Sequence, residues 1–145
     1  MAGDQPTRAG VADYPLAEKR PDLIKGARGK GLDELTLDAV VDGSVGMADL
    51  RITPEALRLQ ADIAKAAGRP TLGQNFERAA ELVNVPQDEV MAIYELMRPG
   101  RAKSKGDLLA AATTLRETYG ATRMAAFIDE AAEVYERRGL FVKRY

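Results

Sequence analysis

Neither cysteine nor histidine occurs in the 145-residue chain, and tryptophan is also missing. The first absence excludes disulfides, thiol nucleophiles and thiolate zinc sites. The second excludes imidazole ligands and imidazole bases. Acid–base work would fall to carboxylates, lysines and tyrosines. No run of about 18 apolar residues is present, so no transmembrane helix is expected. The charged first 31 residues hold no stretch suited to the core of a signal peptide. The chain therefore reads as cytoplasmic, and the lack of cysteine fits a reducing compartment. Charge of one sign is not in excess either: 21 Lys plus Arg stand against 22 Asp plus Glu. That balance lacks the basic surplus of a nucleic-acid binder. β-Branched residues are sparse while Ala and Leu abound, a mixture that favours helices over strands.

Residues 1–31 carry Pro6, Pro15, Pro21 and five glycines, with few apolar residues and no period. They read as a flexible or extended N-terminal arm. Tyr14, Pro15, Leu16, Leu23 and Ile24 are the exceptions, able to dock on a neighbouring surface. Residues 32–145 read as a single helical domain. The fold class expected is all-α, a compact bundle of about five short helices with the extended arm.

The helix signals are local. Thr36 is placed to cap a short helix with Leu37, Val40 and Val41, ended by Gly43. Thr53-Pro54-Glu55 combines a hydroxyl cap, proline at the first helical position and a carboxylate at the positive end. That helix should bury Leu57, Leu59, Ala61, Ile63 and Ala64 and stop at Gly68. Thr71 and Gln74 have capping-box spacing, with Gly73 weakening the start. Leu72, Phe76, Ala79, Ala80 and Val83 then recur at helical spacing. Pro86 opens a helix with Val90, Ile93, Tyr94 and Met97 on one face. Ser104 and Asp107 form a further capping box, followed by Leu108, Ala112, Leu115 and Tyr119 and closed by Gly120. Met124, Ile128, Ala131 and Tyr135 make the last stripe, ended by Gly139. Met91, Met97 and Met124 read as core fillers. No segment alternates with period two for long enough to be a strand; Arg51-Ile52 is the one place for a bridge.

The search for chemistry is negative. Gly26–Gly31, GARGKG, departs from the phosphate-loop pattern in glycine spacing and has no Ser or Thr after the lysine and no strand before it. Asp33-Glu34, Asp88-Glu89 and Asp129-Glu130 are adjacent pairs. Neighbouring helical residues point about 100° apart, so such pairs do not converge on one proton. Arg137, Arg138, Lys143 and Arg144 around Leu140 and Phe141 look like a nucleic-acid contact, but Glu133 and Glu136 sit among them. Residues 32–99 carry net charge −6 (6 basic, 12 acidic), which leaves no segregated basic face. No nucleophile, base and oxyanion donor assemble, and neither a metal nor a cofactor site is read on this chain.

Longer blocks carry a resemblance. RITPEALRLQADIAKAAGRPTLGQNFERAAEL at Arg51–Leu82 and VPQDEVMAIYELMRPGR at Val85–Arg101 are similar to the small (gamma) subunit of adenosylcobalamin-dependent diol dehydratase and glycerol dehydratase. DYPLAEKRPDLIK at Asp13–Lys25, LDELTLDAVVDG at Leu32–Gly43 and AAFIDEAAEVYERR near the C-terminus extend it. The resemblance implies a heterohexamer of two large, two medium and two small subunits that converts 1,2-diols or glycerol to the aldehyde and water. It implies that adenosylcobalamin is bound by the other subunits, that the small subunit contributes no catalytic residue, and that its partners are the large and medium subunits, with no nucleic acid and no membrane. Some relatives carry N-terminal helices that direct them into a bacterial microcompartment. Residues 1–12, with Gly3, Pro6 and Gly10, lack such an amphipathic stripe. Preference for propanediol or glycerol is not written on this chain, and neither is a role for the terminal GLFVKRY. A freestanding helical interaction module explains the helices but not the RITPE and NFERAAEL blocks; co-expression with large and medium chains separates the two readings. A small DNA binder is the third, checked by salt-dependent duplex binding.

On this reading Arg51, Arg58, Lys65, Arg69 and Arg78 form a basic set on or beside the two central helices. Arg58 and Lys65, seven apart, share a face, and Asn75 and Arg78 present together. Arg51, Arg58, Asn75 and Arg78 are the expected subunit-interface residues, because the guanidinium fork pairs bidentately with carboxylates and stacks on rings.

Overall fold

A computed structural model describes residues 7–142. Among them the secondary structure is helical: seven α-helices and four short 3-10 turns, with no strand. The count exceeds the expected five: the single-turn α1 (Leu16–Lys19) was not expected, while α2 (Leu37–Val41) is the short helix that Thr36 was placed to cap. The only bridge among the described residues pairs Lys25 with Gly31, not Arg51-Ile52. No described helix is long and apolar enough to cross a membrane. The chain groups into two compact units, Met1–Val83 and Asn84–Tyr145.

In the first unit, α3 (Pro54–Ala66) packs on α4 (Pro70–Leu82). Thr53 Oγ1 accepts from Ala56 N at 3.2 Å and Gly68 ends the run at φ +74°. The predicted face of α3 is buried as a set: Leu57, Leu59, Ala61, Ile63 and Ala64. The start of α4 differs from expectation. It begins at Pro70 with no side-chain cap, so Thr71 and Gln74 form no capping box. Gly73 is buried where the helices approach. A methyl there would lie 2.6 Å from Lys65 Cγ and 3.0 Å from Ala61 O. Its lack of a side chain serves packing, which outweighs its poor helix propensity. Phe76 is half-buried and Val83 exposed, so Ala80 is the core residue of that stripe.

Residues 9–24 are not an extended arm. Ala9 and Leu16 are buried against Leu59 and Ile63, with Leu23 and Ile24 packed beside them. This is the docking that the exceptional apolar residues allowed, and the neighbouring surface is α3. Tyr14 remains exposed. The arm's first six residues lie outside the described ones, as do Lys143, Arg144 and Tyr145 of the basic C-terminus.

The second unit holds α5 (Gln87–Met97), α6 (Lys105–Tyr119) and α7 (Thr122–Arg137). α6 and α7 run antiparallel, joined by Gly120-Ala121, with Gly120 at φ +65°. Lys105 Nζ meets Glu133 at 2.6 Å and Glu136 at 2.8 Å, and Arg116 meets Asp129 at 2.5 Å. These partly exposed pairs set register more than stability. The core is Leu108, Ala112 and Leu115 against Ala125, Ile128 and Ala132. On α7 the buried line is Ala125-Ile128-Ala132, and Met124 and Ala131 sit half-buried at its margins. On α5 only Ile93 is buried; Met91 and Tyr94, read as core, are exposed. Phe141 lies 6.1 Å from Tyr135, ring centre to ring centre. Tyr135 Oη donates to Met97 O, so both rings belong to this unit's packing. Ser104 Oγ accepts from Asp107 N while Asp107 accepts from Ser104 N and Lys103 N. Ser104→Ala should lower stability by about 1 kcal/mol. A urea midpoint unchanged by this substitution would show that the cap is dispensable.

Candidate subunit-contact surface

The segment 32–52 has too little regular structure to give its apolar residues an inner face. Its one α-helix, α2, spans Leu37–Val41 and offers no second layer to cover Leu37, Val40 and Val41. Leu37 and Val41 are 78% exposed and Met47 76%, and Leu32, Val40, Leu50 and Ile52 are exposed with them. Seven large apolar side chains in water within 21 residues form an unusual band, since scattered exposure is the norm and clustered exposure marks a contact site.

The backbone beneath the band is well held. Thr36 Oγ1 accepts from Ala39 N at 3.2 Å. Asp42 Oδ1 accepts from Ser44 N at 2.8 Å, and Ser44 Oγ donates to Ala39 O at 3.1 Å. The carboxyl of Asp42 is accordingly held below its ordinary range by Ser44. At the other end Asp49, only 1% exposed, accepts from Gly46 N at 2.8 Å and so closes the 3-10 turn Met47–Leu50. Arg28 reaches Asp49 from the preceding loop. Its Nε donates to Oδ1 at 2.8 Å, its Nη2 donates to Oδ2, and Nη2 also reaches Ser44 O at 3.3 Å. This two-pronged pair is the strong form of carboxylate–guanidinium contact.

Gly26 explains the GARGKG motif. Gly26 N donates to Lys30 O and Gly29 N to Gly26 O, giving a tight turn with Gly29 at φ +83°. A methyl on Gly26 would fall 2.2 Å from Asp49 O. The glycines serve a turn and a close backbone approach, and Arg28 at its tip serves the Asp49 contact.

Arg28 and the Gly46 amide depress the Asp49 carboxyl to about 2, Arg28 being the larger cause. The folded value lies below the unfolded one. The stabilisation this group contributes is therefore complete above the ordinary value of 3.8 and lost as pH falls toward about 2. Asp49→Asn should melt below the parent chain at neutral pH, and the gap should close as pH drops through that window. A gap independent of pH would show that charge is not what holds the turn.

The four expected interface residues are not gathered at one place. Arg51 is exposed and lines a cleft with Lys25, Ile24 and Ile52. Arg58 is exposed, lies 3.5 Å from Glu55, and lines a different cleft with Thr7, Leu23 and Asp62. Arg78 Nη2 donates to Asn75 Oδ1, so that pair does present together. Lys65 crosses to Glu77 of α4 at 2.5 Å, and Glu77 lines the same cleft as Arg58. Among the described residues no group of acidic side chains is placed to hold a metal ion. Sequence reasoning passed over the band and the Arg28–Asp49 contact. The signal for the band was available, as a helix one turn long with three large apolar residues. The contact, between residues 21 apart with no shared period, left no signal.

Comparison with known proteins agrees with the resemblance. The family model described as dehydratase small subunit matches residues 9–142. The propanediol dehydratase small subunit of Salmonella typhimurium (strain LT2) is 51% identical over 137 residues, which is 94% of this chain and 79% of that protein. The propanediol dehydratase small subunit of Citrobacter freundii is 52% identical over 130 residues, 90% of this chain and 75% of that protein. With nearly the whole described chain matched, the protein belongs to the dehydratase small-subunit family.

Proposed function

We propose that this chain is the non-catalytic small subunit of an adenosylcobalamin-dependent diol or glycerol dehydratase. In this reading it joins two large, two medium and two small subunits in a cytoplasmic heterohexamer and supports their assembly and stability. The observation that carries the reading is the exposed band Leu32–Ile52 on a chain of the dehydratase small-subunit family: burial of such a surface drives association. The names of the Salmonella and Citrobacter relatives support a 1,2-diol as the substrate class.

Adenosylcobalamin, when bound, supplies the radical chemistry of the dehydration. The family resemblance assigns the cofactor to the other subunits, and this chain has no imidazole to add to its binding. What this chain contributes is an apolar contact that excludes water, held in shape by Asp49, Arg28 and Thr36.

The test is co-expression of the tagged chain with large and medium dehydratase subunits. All three should co-purify in equal amounts and convert 1,2-propanediol to the aldehyde once adenosylcobalamin is added. Omitting the small chain should reduce the yield of active complex. Large and medium subunits that reach the same mass and turnover without it would overturn the assembly role. A cobalamin titration of the isolated chain should show no stoichiometric binding.

A further inference from the structure

We infer that the cleft between residues 24–35 and 49–56 is a socket for an acidic segment of a partner dehydratase subunit, one that inserts an apolar side chain flanked by Asp or Glu. The inference rests on the proposed subunit role and deepens it by naming where and what the partner contributes. The cleft has a volume of about 310 Å³, and its walls include Ile24, Leu35, Leu50, Ile52 and Ala56. That is near the lower end of ligand-sized pockets, about 300 Å³, and suits a side chain better than a large cofactor.

Charge identifies the occupant. Lys25, Lys30 and Arg51 also line the cleft, and Asp49 is its only acidic residue. Asp49 is already engaged by Arg28 and the Gly46 amide. Lys30 lies 3.9 Å from Glu34, while Lys25 and Arg51 make no ion pair or side-chain hydrogen bond among the described residues. The cleft therefore offers an apolar interior beside two unpaired cations. A purely apolar insert would leave those cations without partners, and a free anion would leave the walls wet. A segment carrying both features satisfies both. The cleft is also continuous with the contact band, because Leu32, Leu50 and Ile52 belong to each. That continuity favours a protein partner over a membrane surface.

The test measures binding of the full chain to an immobilised large–medium subcomplex at low and high salt. The double variant Lys25→Glu/Arg51→Glu alters exposed side chains, and circular dichroism and melting confirm that it folds. It should bind at least about tenfold more weakly at low salt and lose most of the salt dependence, since opposed charges act through a screened field. Lys25→Arg/Arg51→Lys should bind like the parent. Ala56→Phe, which fills the cleft, should weaken binding at both salt levels; if it fails to fold, the exposed Ile52→Ser reports the same apolar contribution. Parent-like binding by both the charge-reversed and the filled variants overturns the socket. So does parent-like subunit binding by the charge-reversed pair together with its loss of binding to phosphatidylserine vesicles, which would assign the cations to a membrane. Failure of the parent chain itself to bind the subcomplex is a separate outcome and overturns the subunit role.

Discussion

Ile128→Ala should destabilise the second unit by about 2–5 kcal/mol, with the result toward the upper end of that range. Ile128 is fully buried, and its neighbours in the core of α6 and α7 include Ala112, Ala125 and Ala132. Alanines have no spare reach, so the cavity left by the deleted carbons stays open instead of being filled by a neighbour. Leu108 and Leu115 are equally buried and already packed. Filling the space with them would strain their rotamers. The measurement is urea unfolding followed by circular dichroism, in which the midpoint falls while the slope is kept. A loss below about 0.5 kcal/mol, the level of an ordinary surface change, would mean that Ile128 does not anchor this core. Phe76→Ala, by contrast, trims a half-buried ring and should cost less than a fully buried aromatic would.

Leu37→Asp/Val41→Asp should weaken binding to the large–medium subcomplex by at least about 30-fold, the effect of losing one contact hot spot. The two residues are four apart on α2 and equally exposed, so they present one apolar stripe. Two carboxylates there would have to be desolvated without partners on association. In the free chain the cost is small, because water already covers the site, and the charge favoured at Leu37, which opens the helix, offsets the one disfavoured at Val41, which ends it. Melting within a few degrees of the parent, together with loss of co-purification, is the expected pair of results. Parent-like co-purification would move the subunit contact off the band.

The long helices were legible because their ends are coded locally. Thr53-Pro54, Ser104 with Asp107, Gly68 and Gly120 each act within one turn, and each stands where the sequence places it. Face assignments held where the stripe was redundant, as on α3, and failed where one element had no second layer. Tyr94 and Met91 follow helical spacing, yet only Ile93 of α5 meets a core. The N-terminal packing was legible only in part: Leu16, Leu23 and Ile24 stood out as able to dock, but Ala9 and the surface that receives them did not. Ala9, Leu16, Leu23 and Ile24 follow no period, and their common feature is contact with Leu59 and Ile63 of α3, more than 30 residues away. The interface candidates were chosen from basic charge and helical spacing within the blocks that carry the resemblance. Arg51 stands at a cleft, but its companion there, Lys25, comes from a segment that propensity assigned to a loose arm.

The helical hairpins carry a kinetic consequence. α3 meets α4 across a three-residue connection, and α6 meets α7 across two residues, so the largest helix–helix contacts in each unit are close in sequence. Such low contact order makes for rapid folding, with the nucleus inside the hairpins. The residues of α2 and the turn at Met47–Leu50 lie outside these hairpins, so changes to the exposed band leave the folding rate almost untouched. The surface proposed to meet other subunits is thereby free to vary without slowing the chain's own path to its native state.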